Sequence, residues 1–164
     1  MILSRVLALL AALVVAAGAQ AQALWLTVDG PERTFTVQLP GTPEYKVTPP
    51  LHSYSLQRGL IDYVVQSVSY PATVDVSQPR AVLQAALDGT APHLVGGKWD
   101  KIDFKQVQGV PAVEAIGTFK DGNAFRNLVV LKGRQLVSLG FRGPTGTTKF
   151  PDADRFISSL RVNP

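Results

Sequence analysis

Two apolar runs, Leu128–Leu131 and Leu136–Phe141, flank the short stretch Lys132-Gly133-Arg134 inside Asn123–Arg142. Apolar runs of strand length on either side of a glycine-containing turn predict a β-hairpin. Neither run alternates with polar residues, so both faces of each strand carry apolar side chains. A strand of that kind must be covered on two sides, which places the hairpin near the middle of a sheet with further structure packed above and below. The turn leaves two registers open. A Gly133-Arg134 turn pairs Leu131 with Leu136, whereas a Lys132-Gly133 turn pairs Leu131 with Arg134. A one-residue slip of this kind reverses which side chains meet across the strands.

The remaining chain supplies strands and two helices. Ala23–Val28 reads as a first strand or an edge segment. Thr34–Leu39 alternates strictly, with Phe35, Val37 and Leu39 on one face, as a half-buried strand does. Glu44–Thr48 reads as a short strand closed by Pro49-Pro50. His52–Leu56 and Ile61–Tyr70 follow, the second apolar on both faces. Ser77 is the expected N-cap of a helix in which Leu83, Leu87, Ala91 and Leu94 share a stripe. Gly89 and Pro92 predict that this helix stops near Asp88–Thr90 or kinks before a last turn. Trp99–Val107 reads as a charged edge strand. Gln108–Pro111 reads as a turn, Ala112–Phe119 as a strand and Asp121-Gly122 as a hairpin turn. Pro151–Leu160 is an expected helix with Phe156, Ile157 and Leu160 on its apolar side, and acidic residues in its first turn favoured by the helix dipole.

The first residues read as an address. A basic start, Met1–Arg5, precedes the apolar run Val6–Ala19 and the small-x-small sites Ala19-Gln20-Ala21 and Ala21-Gln22-Ala23. This three-part pattern predicts a secretory leader cleaved after Ala21 or Ala23, the first preferred. The apolar run is shorter than the roughly 20 residues of a membrane-spanning helix. The expected organisation is a leader over 1–21 and one domain over 22–164, periplasmic or secreted, with no stable membrane anchor once the leader is removed. The chain has no cysteine, so disulfides, thiol catalysis, thiolate metal sites and a lipid anchor on cysteine are excluded. The net charge is +4, but the basic residues are scattered rather than striped, which argues against nucleic acid as a partner.

Two segments carry a resemblance. Thr34–Pro43, TFTVQLPGTP, resembles the Phe-x-Val-x-x-Pro-Gly-x-Pro opening of small exported bacterial proteins with a PsbP-like fold. Phe150–Val162, FPDADRFISSLRV, resembles their C-terminal helix and last short strand. The Gln-Gly-Val-Pro-Ala turn, the Ala-rich helix and the two successive hairpins between them match as well. The resemblance implies an α+β fold: an antiparallel sheet of about six strands with helices on both faces, a three-layer α/β/α sandwich. Relatives of that fold include the extrinsic PsbP proteins of photosystem II and a Ran-binding nuclear-transport factor, which bind and assemble rather than catalyse. None of their partner- or metal-binding motifs carries over to this sequence.

Candidate chemistry is sparse. His52 and His93 are the only histidines, and no ligand spacing accompanies them, so no metal and no cofactor are expected. Ser138 lacks the first glycine of a nucleophile elbow. Asp152 and Asp154, two apart at a helix start, do not share a face and read as dipole compensation. Gly143–Lys149 has the wrong order for a phosphate loop. It leaves Arg142 and Lys149 as a candidate anion- or partner-binding surface beside a helix N-terminus. Trp25, Trp99, Tyr54 and Tyr63 read as core or edge residues, although an exposed cluster of them would mark a partner surface. The expected function is therefore a non-enzymatic exported binding or assembly domain. It would hold another envelope protein or a small ligand at a sheet edge or in a cleft beside a helix. The alternative is a small-ligand-binding protein or a hydrolase with a dispersed site around His52, Arg126 and Asp62.

Overall fold

A computed structural model describes residues 24–164. The expected leader, 1–21, lies outside the described residues. Seven strands form one antiparallel sheet: β3 (Glu44–Thr48), β4 (Leu51–Arg58), β5 (Ile61–Ser69), β6 (Lys101–Val107), β7 (Val110–Thr118), β8 (Ala124–Lys132) and β9 (Gln135–Gly143), in the order β3-β4-β5-β9-β8-β7-β6. The hairpin β8–β9 lies near the centre, as its two-sided apolar pattern requires. Leu131 pairs with Leu136 and Lys132 with Gln135, so the turn is Gly133-Arg134 and the first of the two registers is realised. Gly133 takes a positive φ of 56° there, which a Cβ would disfavour. A second, three-stranded sheet contains β1 (Leu26–Asp29), β2 (Phe35–Leu39) and the short β10 (Arg161–Val162), with β2 in the middle.

Alternation along the central strands divides the core in two. Tyr63 and Val65 of β5, Val137, Leu139 and Phe141 of β9, and Leu128 and Val130 of β8 point to one face. They meet Phe35, Val37 and Leu39 of β2 and Ala153, Phe156 and Ile157 of α2 (Pro151–Ser158). On the opposite face Val113, Ala115, Val129, Leu131 and Leu136 meet Leu83 and Leu87 of α1 (Pro79–Thr90), together with Leu94 and Trp99. Trp99 is pinned by its Nε1–H, which donates to the Leu87 carbonyl at 3.1 Å. Tyr54 and Tyr63 are buried with the first face; burial foremost, then the nearby Asp152 carboxylate, pushes the Tyr63 phenol up to about 12.

The expected count of about six strands in one sheet is corrected. The main sheet has seven, and three more strands stand apart. The half-buried alternation of Phe35–Leu39 was legible, but its neighbours are β1 and, from 125 residues away in sequence, β10 (Thr36 opposite Arg161), so its sheet was not. The α/β/α sandwich is corrected with it. One helix lies on each face, but α2 shares its layer with the three-stranded sheet, and α1 covers only part of the other face. Smaller differences follow local chemistry. The N-cap of α1 is Gln78, not Ser77, whose own N–H is taken by Asp75 Oδ1 at 2.9 Å. The turn before β7 is confined to Gln108-Gly109, both at positive φ, and Val110 and Pro111 already belong to the strand. Helix α1 stops at Thr90, and Pro92 sits in the first of the two 3-10 turns that follow, Ala91–His93.

Candidate functional site

Helix α1 packs over β7 and β8, and beyond its C-terminal end the same face of the sheet lies open. The side chains there are the out-of-core set of β4, β5 and β9: Ser55 and Gln57, Asp62, Val64 and Gln66, and Ser138 and Arg142. Thr90 at the end of α1, Phe119 and Phe125 rise beside them, and Glu44 of β3 closes the far side. The result is a cleft of about 480 Å³, within the range of pockets that hold small ligands.

Glycine shapes its floor. A Cβ on Gly140 would come within 2.9 Å of Phe125 Cε2 and 3.1 Å of Cζ, so only glycine lets that ring settle over the central strand. Phe125 in turn stacks on Trp99 (centroids 5.8 Å apart) and tilts against Phe119 (5.0 Å). The Arg142 guanidinium lies 4.5 Å from the Phe119 ring centroid and donates through Nη2 to Asp121. Its Nε is buried and has no hydrogen-bond acceptor. Ser138 Oγ donates to Asn127 Oδ1 at 2.9 Å. By contrast, no side-chain hydrogen bond among the described residues engages Ser55, Gln57, Asp62 or Gln66, so their polar groups remain available. The backbone hydrogen bond from Asn123 foremost, with its side chain and the Arg142 contact behind it, holds Asp121 below the usual carboxylate range against the opposing effect of desolvation.

The opposite face carries a different polar cluster, at the mouth between α2 and the β6–β8 edge. Arg126 donates through Nε to Glu114 Oε1 and through Nη1 to Asp154 Oδ1, both at 2.6 Å, and Lys105 pairs with the same Glu114. Burial works to raise the Glu114 carboxyl, but the hydrogen bonds from Lys105 and Arg126 outweigh it and hold it low. These ion pairs tie the first turn of α2 to the sheet.

No protein-family model matches the sequence, and no curated protein matches it either. Solved structures do. The solution structure of cyanobacterial PsbP (CyanoP) from Synechocystis sp. PCC 6803 is similar at a TM-score of 0.63 and 10% identity, covering 90% of this chain and 98% of that one. The chain has the PsbP-like fold. PA94 from Pseudomonas aeruginosa, a protein of unknown function, is similar at a TM-score of 0.53 and 11% identity, covering 85% of this chain and 98% of that one.

Within this PsbP-like fold the residues singled out from sequence do not converge. Arg142 lies in the cleft, whereas Lys149 lies on the other face beside Lys101, Arg126 and Asp154, so the two do not form one anion-binding surface. Alternation explains the separation: Arg142 projects away from the face on which the loop and α2 pack. The dispersed site also fails to assemble. Asp62 lines the cleft, Arg126 is in the ion-pair cluster, and His52 is on β4 with its Nδ1 2.7 Å from the Tyr45 hydroxyl. His93 is exposed after α1, and Asp152 is exposed in the first turn of α2. Ser55, Gln57, Gln66 and Asn127 were missed from sequence. Their signal was parity: Ser55, Gln57, Asp62, Gln66 and Ser138 all fall on the same side once the strands are paired.

Proposed function

We propose that this chain is a non-enzymatic exported binding domain that holds its ligand or partner in the cleft beside α1. One observation carries the reading. The cleft presents unengaged polar side chains from three adjacent strands on a concave stretch of the sheet. A concave site that mixes apolar walls with a few free polar groups is the usual make-up of a ligand pocket. The non-enzymatic reading is supported by the pairing of Ser138, one of several hydroxyls in the cleft. Ser138 gives its proton to an amide oxygen, which is no base, and no histidine lines the cleft. Export rests on the leader-like pattern of the first residues. No helix among the described residues is long and apolar enough to cross a membrane.

The test is photo-crosslinking in the producing cell. A photoreactive amino acid replaces Gln66 in the cleft, Lys46 on the exposed edge strand β3, or Lys101 on the far face. The reading expects a discrete adduct from position 66 and none of comparable yield from position 101. Adducts from 46 alone would move the binding surface to the sheet edge and overturn the cleft.

A further inference from the structure

Opposite charges that face each other across two strands ordinarily attract into a pair. Asp62 of β5 and Arg142 of β9 are direct partners in the register, yet no ion pair joins them. The Arg142 guanidinium is drawn aside: it lies 4.5 Å from the Phe119 ring centroid and pairs with Asp121. Asp62 is left facing the cleft without a cation. Glu44 lines the same cleft, and among the described residues it too has neither an ion pair nor a side-chain hydrogen bond. Lys46, on the same face of β3, is exposed and stands outside the lining.

The register shows where one cation meets both carboxylates. Glu44 stands opposite Ser55 and Asp62 opposite Gln57, so the two acids flank the part of β4 that carries Ser55 and Gln57. A strand spacing of about 4.8 Å and a rise of about 3.4 Å per residue put the Glu44 and Asp62 Cα atoms roughly 12 Å apart. That is within the combined reach of the two side chains and a cation between them. Ser55 Oγ and Gln57 Oε1 lie under that point, and both accept hydrogen bonds. Every group there can accept, which suits a head with several N–H donors. A metal ion is a poorer match, because no group of three or more His, Asp or Glu among the described residues could hold one.

From that point the floor turns apolar along one row. Val64 follows Ser55 across the sheet, Gly140 follows Val64, and Phe125 settles over Gly140 with Phe119 beside it. A head over β4 sits at the solvent-facing margin, where it keeps part of its water, while a stem laid inward meets hydrocarbon. Amphipathic amines divide themselves in this way. The space, about 480 Å³, is that of a small-molecule pocket.

We propose that the cleft beside α1 binds a small organic amine, its ammonium held between Glu44 and Asp62 over Ser55 and Gln57, and its apolar stem laid across Val64 against Phe125 and Phe119. This rests on the cleft being the binding site of the proposed function.

The test is a titration of the full chain, followed by amide chemical shifts. The probes are hexylamine, 1-hexanol and hexanoate, which share a stem and differ in the charge of the head, and N-acetyl-lysine methylamide, which carries the ammonium on a peptide unit. Hexylamine should give saturable shifts centred on β4 and β5 and bind more tightly than hexanol. Glu44→Gln and Asp62→Asn should each weaken it about two- to fivefold, as expected for removing one partner of a solvent-accessible ion pair, while Lys101→Ala on the far face leaves it unchanged. Hexanol binding as tightly as hexylamine, or hexanoate binding more tightly, would overturn the ammonium site. Saturation by the capped lysine alone would overturn the small-molecule assignment in favour of a lysine-bearing partner. If hexylamine fails to bind while position 66 still crosslinks a partner in cells, the ligand class is wrong and the binding reading stands. If position 66 yields no adduct and no probe binds, both fall.

Discussion

Gly140→Ala tests the link between the core and the cleft wall. Gly140 does not occupy a positive φ, so alanine meets no backbone penalty there, and the whole effect comes from space. The new Cβ would sit 2.9 Å and 3.1 Å from two atoms of the Phe125 ring, where carbon atoms rest at roughly 3.5–4.0 Å. The ring must retreat by about half an ångström or more, and Trp99 and Phe119 stand against it on other sides. Overpacking of this kind costs about 1–3 kcal/mol. Removing glycine's freedom from the unfolded chain returns about 0.4–1 kcal/mol. A net loss of about 1–2 kcal/mol is expected, seen as a lower urea midpoint with unchanged slope and a melting temperature about 3–6 °C lower. Phe125→Leu alone should cost about 1–2 kcal/mol for the lost ring atoms. Combined with Gly140→Ala it should cost clearly less than the two separately, since the atoms that clash are gone. Strict additivity in that double-mutant cycle would refute the packing account and with it the role assigned to Gly140.

Other outcomes follow from the same structure. Arg126→Met should destabilise by about 1–3 kcal/mol in urea denaturation, because it leaves the half-buried Glu114 with Lys105 alone; adding Glu114→Leu should recover most of the loss. Glu114 has its carboxyl held low in the folded state, so its stabilisation is present above the unfolded value of about 4.3 and disappears as pH falls through the folded value. The stability gap between the parent and Glu114→Gln should accordingly be constant from pH 7 to about 5 and close on further acidification; a gap that widens in acid would reverse the assignment. Trp99→Phe removes the indole donor to Leu87, whose carbonyl keeps the Ala91 N–H, and should cost about 0.5–1.5 kcal/mol by thermal melting.

Local patterns in the sequence carried the elements well, because each rests on a short-range rule. The alternation of Phe35, Val37 and Leu39 appears as three fully buried side chains, and Gly89 with Pro92 ends α1 at Thr90. What the same patterns leave undetermined is partnership. Strand β2 looks like any half-buried strand, yet it closes a separate sheet with β10, and Gln135 Nε2 reaches Thr34 Oγ1 at 2.6 Å to dock that sheet on the main one. Such contacts join residues more than a hundred positions apart, and no window of sequence contains both. The register at Gly133 is a milder case: both turns were chemically acceptable, and pairing Leu131 with Leu136 wins by keeping each apolar run aligned with the core on its own side.

The candidate site was hidden for a geometric reason. A twelve-residue helix is about 18 Å long and about 10 Å wide, whereas seven strands spaced at about 4.8 Å span nearly 30 Å. A lone α1 lying over β7 and β8 therefore cannot cover its face, and some strands on that side must meet solvent. The residues at those positions show how the sequence accommodates this. On the covered half the inward set is Val113, Ala115, Val129 and Leu131; on the open half it is Ser55, Gln57, Asp62, Gln66 and Ser138. In single strands these polar residues look like ordinary solvent-facing positions. Only the pairing of β4 with β5 and β5 with β9 collects them into one floor, with the end of α1 and the Phe119–Phe125 pair as its wall. Solvent exposure alone would account for the polarity. What turns the open half of the face into a cleft is the wall that rises beside it, the end of α1 with Phe119 and Phe125, rather than the polarity of the floor.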